Sequence, residues 1–278
     1  MRKFRIAADS AADLMDLPGI DFACAPLTVR TEEREFRDAG PGQTEEMVSY
    51  LETHKGRSQT SCPSPADWLD AFGDADDILC IPITSGLSGS YNAACTARDL
   101  ALAEDKERRI FVVDSLTAGP EMRLLAEKAA QWAGEGKDFE TICRDISSYQ
   151  KKTGLLFLLQ SLKNFAANGR VSPAAAKLAQ LFNIRILGQA SREGKLELLH
   201  KCHGETRSFE AVLSTLKKAG VERGRLILTH CLNEPGAQAL RELLHAAFPQ
   251  SEITVAPCGG LCSYYAERGG LLIGFEAF

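Results

Sequence analysis

ILCIPITSGLSGSYNAA (Ile78–Ala94) runs from an apolar stretch through a Gly/Ser loop into an Ala-rich stretch. The run Ile78–Ile83 is short and bounded by turn residues, so it reads as a buried strand. Ser90–Glu104 reads as a helix. Strand, loop and helix at this spacing form the repeating piece of a parallel βαβ fold. The same texture lies on either side. Phe4–Ala8 is an apolar strand ending at Asp9-Ser10, and Ile110–Val113 is another, closed by Asp114-Ser115. In open parallel sheets ligands bind beyond the carboxyl ends of the strands. The three polar turns after these strands are therefore expected to gather on one sheet edge.

Working outward, Phe22–Val29 reads as a second extended run and Thr44–His54 as a helix. Ser10-Ala-Ala-Asp13 resembles a capping box. Ser64-Pro65-Ala66-Asp67 is a strong helix start, with Ser as N-cap and Pro at the first helical position. Glu121–Trp132 and Phe139–Lys151 read as helices. Beyond residue 150 the texture changes. Leu155–Leu159 is a short apolar run, followed by a helix that stops at Asn168-Gly169, and Ser172-Pro173 opens another. Ile184–Gln189 and Lys195–Leu199 flank the turn Arg192-Glu193-Gly194, a hairpin signature. Helix 206–219, strand 225–230, helix 236–247, strand 252–256 and strand 271–276 complete the chain. The expectation is an α/β protein of two α/β domains, 1–150 with a mainly parallel sheet and 151–278 with a mixed one.

Composition narrows the function classes. The 278 residues are 45% hydrophobic and 25% charged, as in an ordinary globular protein, and the net charge is −5. No clustered basic face calls for nucleic acid. No window approaches a membrane span, and MRKFRIAADS has no apolar core that would make it a signal peptide. The nine cysteines form no CxxC pair and several sit in apolar runs, which points to reduced thiols and a cytoplasmic setting. His200-Lys-Cys202-His203 lacks a second ligand group at metal spacing, so neither a metal nor a cofactor is expected. Cys258-Gly-Gly-Leu-Cys262 is not a redox CxxC.

The opening loop admits three chemistries. As a phosphate cradle it lacks the Lys of a P-loop, and the first strand ends in ADSAAD without the glycines of a dinucleotide fingerprint. As a nucleophile elbow, Gly86-Leu87-Ser88-Gly89-Ser90 lacks the second glycine of G-x-S-x-G. A hydrolase acting on lipid esters would need Ser88 as nucleophile and His230, at the end of RLILTH, as base. As an anion binder the loop is complete, with hydroxyls and free N–H groups at a helix start. Against this stands plain helix capping by Ser88 or Ser90. Two further turns are anion-friendly: Gln59-Thr60-Ser61-Cys62-Pro63-Ser64 and Asn168-Gly169-Arg170. Asp9 and Asp114 could line the same cleft or cap the following turns.

Together these pieces resemble the DegV family of bacterial fatty-acid-binding proteins. The resemblance covers nearly the whole chain, through RIAADSAADL, APLTV, FRDAG, TSCPSP, ITSGLSGSYNAA, VVDSLTAGPEMRLL, SLKNFAANGRVS and GLLIGF in order. It implies two α/β domains with a long-chain fatty acid in a tunnel between them. The carboxylate would be held by Thr60 and Ser88, with Ser61 and the Gly89 N–H as neighbours and Arg170 near the pocket. It also implies that the protein has no catalytic residues, and that some members present their acid to a separate fatty acid kinase. Two positions depart from the pattern. Cys62 stands where the family has Gln, and Tyr265 where a His often stands, in a segment that has lost its Gly-Pro-Gly. A tyrosine hydrogen-bonds a carboxylate but does not titrate near neutrality. Leu155–Leu159 and the stretch 174–182 are the expected apolar wall.

Overall fold

The computed structural model describes residues 2–171 and 184–278. The expected helix from Ser172-Pro173, with its apolar stretch 174–182, lies outside them. In chain order the first elements are β1 (Phe4–Asp9), β2 (Asp21–Ala25), β3 (Thr28–Thr31) and β4 (Glu35–Arg37), then α1 (Thr44–Thr53) and β5 (Ser58–Ser61). There follow α2 (Pro65–Phe72), β6 (Asp77–Ile81), α3 (Ser90–Glu104), β7 (Arg109–Val112), α4 (Pro120–Gly134) and α5 (Phe139–Tyr149). The rest comprises β8 (Thr153–Leu159), α6 (Lys163–Ala167), β9 (Ile184–Ala190), β10 (Leu196–His203), α7 (Gly204–Lys218), β11 (Gly224–His230), α8 (Glu234–Ala247), β12 (Ser251–Pro257), α9 (Gly260–Ala266) and β13 (Leu271–Glu276).

β2-β1-β6-β7 form a wholly parallel four-stranded sheet. Its strands alternate between two cores, as the period of two requires. Ile6, Ala8, Leu79 and Ile81 face α4 and α5 through Met122, Leu125, Ile142 and Ile146. Ala7, Ile78 and Cys80 face Trp68 and Phe72 of α2 and Ala94 and Ala97 of α3. The six-stranded sheet runs β10-β9-β8-β13-β11-β12 and is mixed, only β11 and β12 being parallel. Leu156, Leu158 and Ile273 point to α7 and α8, while Leu155, Phe157, Leu159 and Leu272 point the other way. Helix α4 packs on strands of both sheets. Its start comes so close to Gly274 of β13 that a Cβ there would lie 2.6 Å from the Pro120 backbone. Only glycine permits that approach.

Two expectations need correcting. The extended run Phe22–Val29 is two strands in two sheets: β2 belongs to the parallel sheet, and β3 to a small antiparallel sheet, β4-β3-β5. Ser10–Asp13 is not a capping box. Asp9 caps a single turn over Ser10–Ala12 by accepting from the Ala11 N–H, and the Ser10 hydroxyl accepts from Leu27 N at 3.0 Å. The Ser64 start is a full capping box, with Asp67 returning the bond.

Candidate functional site

An apolar cavity of about 280 Å³ lies between the small sheet, the start of α3 and the inner face of the six-stranded sheet. β8 supplies its alternate residues Leu155, Phe157 and Leu159, and β13 adds Leu272, which pairs with Phe157. Leu27, Ile83, Ala118 and Leu261 close it from the chain's first half and from α9. All six expected site residues, Thr60, Ser61, Ser88, Gly89, Arg170 and Tyr265, line this one cavity, together with Cys62.

Local sequence accounts for each placement. Thr60 lies in β5, where residues two apart share a face. Ser58 and Thr60 therefore both meet α9. The Ser58 and Tyr264 hydroxyls are 2.8 Å apart, and so are those of Thr60 and Tyr265. The Tyr265 ring stacks on Phe165, with centroids 4.5 Å apart. Burial pushes both tyrosine hydroxyls above their ordinary pKa, so neither gives up its proton near neutrality.

Ser88 sits just before α3, whose N-cap, Gly89, has no side chain to cap with. The two serines divide the work. Ser90 is fully buried and donates to Asp9 at 2.6 Å, whereas Ser88 lines the cavity and accepts from Ser90 N at 3.2 Å. Ser88 thus lines the cavity while also accepting the first N–H of the helix, and Ser90 caps nothing but serves Asp9. A Cβ on Gly89 would lie 3.4 Å from Cys62 Sγ, which shows how closely the turn after β5 faces the start of α3. The loop is also gripped by the hairpin between β9 and β10. Thr84 donates to the Gly194 carbonyl at 2.9 Å, and Gly194 adopts a φ of 69° that only glycine takes easily.

Arg170 is placed by a Schellman turn that ends α6. Gly169, at φ 70°, donates to Ala166 O and Arg170 N donates to Phe165 O at 2.8 Å. The guanidinium donates to the carbonyls of Leu87, at 3.2 Å, and Asn168. It thereby ties the Ser88 loop to the turn after α6.

The other candidates fall elsewhere. Asp9 accepts from Ile83 N, Ala11 N and Ser90 Oγ; burial pushes its pKa up to about 7, partly offset by those bonds. Asp114 accepts from Ser85 N and Oγ and from Leu116 N. Both hold loops and neither lines the cavity. The Ser88–His230 pair does not form. His230 is outside the cavity lining, and its Nδ1 accepts from Asn233 N at 3.2 Å. Cys258 and Cys262 are free buried thiols. His200 and His203 are exposed while Cys202 is buried, and among the described residues no three His, Cys, Asp or Glu side chains are grouped for a metal. No described helix is long and apolar enough to cross a membrane.

Sequence reasoning missed the part played by Asn168, which braces the site without lining the cavity. Its Oδ1 accepts from Thr60 N at 3.3 Å and its Nδ2 donates to Tyr264 OH at 2.8 Å, so it ties β5 to α9. The NG dipeptide signalled a turn, and nothing local signalled this bridge. α9 itself was also missed.

The family model described as "Uncharacterised protein, DegV family" matches residues 3–277. This chain belongs to the DegV family. A DegV domain-containing protein of Streptococcus pneumoniae is 39% identical over 277 residues, covering 98% of this chain and 99% of that one. Among solved structures, a DegV family protein from Eubacterium eligens, loaded with heptadecanoic acid, is 42% identical, with a TM-score of 0.97 over 99% of this chain and 100% of that one. The Streptococcus pneumoniae Fatty Acid Kinase (Fak) B3 protein, loaded with linoleic acid, is 39% identical, with a TM-score of 0.96 over 99% of this chain and 100% of that one. Their folds agree with the α/β architecture expected here, one sheet parallel and the other mixed.

Proposed function

We propose that this protein binds a long-chain fatty acid non-covalently, with the carboxylate at Thr60, Ser88 and Tyr265 and the acyl chain in the apolar cavity. The observation that carries this is the gathering of those three hydroxyls, with Ser61 and Arg170, at a mostly apolar cavity lined from both halves of the chain. Relatives 42% and 39% identical, described as loaded with heptadecanoic and linoleic acid, support it. The energetics agree. Each buried CH₂ contributes about 0.8 kcal/mol, so some fifteen methylenes gain roughly 12 kcal/mol before ordering is subtracted. The hydroxyls serve chiefly to keep the carboxylate from being buried unpaired.

On this reading the division is 1–150 carrying the carboxylate loops and 151–278 closing the tunnel, and the protein performs no catalysis of its own. It presents the acid to a separate kinase, a role supported by the likeness to the Fak B3 protein. Nine unpaired cysteines suit a reducing cytoplasm. The test is to purify the protein from bacteria, denature it and identify released lipids by mass spectrometry. One fatty acid per chain is expected; none bound, and none taken up on addition, would overturn the reading.

A further inference from the structure

We infer that Asp38, which does not line the cavity, is the positioning residue that sets Tyr265 against Thr60. The inference rests on the carboxylate reading above. Asp38 follows β4, and its N–H donates to Leu27 O at 2.8 Å. β4 pairs with β3, and β3 pairs with β5 so that Val29 lies opposite Thr60. Asp38 is therefore attached at the end of the small sheet that contains Thr60.

Both ends of α9 are attached to that sheet. At its first turn, the two carboxylate oxygens of Asp38 accept from Gly260 N and Leu261 N, each at 2.8 Å. At its last turn, Tyr265 meets Thr60 at 2.8 Å. Leu261 and Tyr265 are four residues apart, on one face of the helix, and both line the cavity. A shift at the first turn thus carries directly to the tyrosine hydroxyl. The approach leaves no slack. A Cβ on Gly260 would lie 2.8 Å from Asp38 Oδ1. Asp13 secures the preceding residue, accepting from Gly259 N at 2.8 Å.

A residue that only holds the fold together and one that positions Tyr265 differ in a measurable way. Asp38→Asn turns an amide NH₂ toward a backbone N–H and breaks one of the two bonds. The experiment measures displacement of a fluorescent long-chain fatty acid by oleic acid and by methyl oleate. It uses wild type, Asp38→Asn, Tyr265→Phe and the double variant, a cycle that isolates the coupling. Asp38→Asn is expected to weaken oleic acid binding about tenfold when Tyr265 is present, less than twofold in the Tyr265→Phe background, and methyl oleate binding less than twofold in either. Equal losses in both backgrounds, or equal losses for acid and ester, would overturn the inference. If Asp38→Asn fails to fold, Gly260→Ala presses on the same contact from the other side, and the cycle is run with it. Wild-type protein that takes up no acid defeats the binding reading itself, whereas additive losses with binding intact defeat only this inference.

Discussion

Tyr265→Phe isolates the carboxylate contact. The substitution removes one hydroxyl and keeps the ring, which stacks on Phe165 at 4.5 Å and so stays in place. A hydrogen bond to an ionised carboxylate contributes about 1.5–3 kcal/mol. Part of this is offset, because the same hydroxyl bonds Thr60 at 2.8 Å, a neutral bond of about 0.5–1.5 kcal/mol that the carboxylate must replace or share. The net loss is therefore roughly 1–2 kcal/mol, or about 5- to 30-fold in Kd. A long-chain acid and its methyl ester are titrated against a bound fluorescent analogue. The acid should weaken by that factor, and the ester, which brings no charge, by less than twofold. If the variant discriminates acid from ester as well as wild type does, Tyr265 does not touch the carboxylate and the orientation proposed here is wrong.

Ser88→Ala and Ser90→Ala should separate two roles that lie two residues apart. The Ser90 change removes the hydroxyl that serves buried Asp9, so about 1–3 kcal/mol of stability is expected to be lost in a denaturant melt. The Ser88 change should cost less in the melt, about 0.5–1 kcal/mol for the bond from Ser90 N, and speed release of the acid; the reverse pattern would refute the assignment. Glu121 is buried and accepts from Thr153 Oγ1 at 2.8 Å, and burial pushes its pKa up to about 7 from 4.5. The folded state then holds this proton more tightly than the unfolded chain, so stability from this group is full below about pH 4.5 and falls as pH rises to 7. The loss is roughly 3 kcal/mol, and Glu121→Gln should therefore gain on wild type by about that much in melts at pH 8 compared with pH 4; a gap that does not change with pH would refute it.

Much of this was legible locally. An apolar run, a Gly/Ser loop and an Ala-rich helix predict a βαβ unit, and α3 begins at Ser90 as read. The Ser64-Pro65 start and the hairpin around Gly194 are likewise local chemistry, because capping and turn geometry depend on residues within a few positions. The small sheet was not legible, since strands of three or four residues carry too little alternation to be seen. Nor was α9. GLCSYYA has no capping side chain of its own at the start, and the acceptor for its first N–H is 222 residues away.

The sequence by itself determined which short segments could hold an anion: the Thr60 turn has hydroxyls and prolines, the Ser88 loop has hydroxyls and glycines, and the Arg170 turn has a glycine and a cation. Only the tertiary structure decided that Ser88 rather than Ser90 faces the cavity, that Asp9 and Asp114 serve loops, and that Tyr265 meets Thr60 across 205 residues. The physical reason is range. Turn and cap preferences act over a few residues, whereas hydroxyls meet at one cavity only after two sheets and a helix with its N–H groups bonded to Asp38 have been packed together.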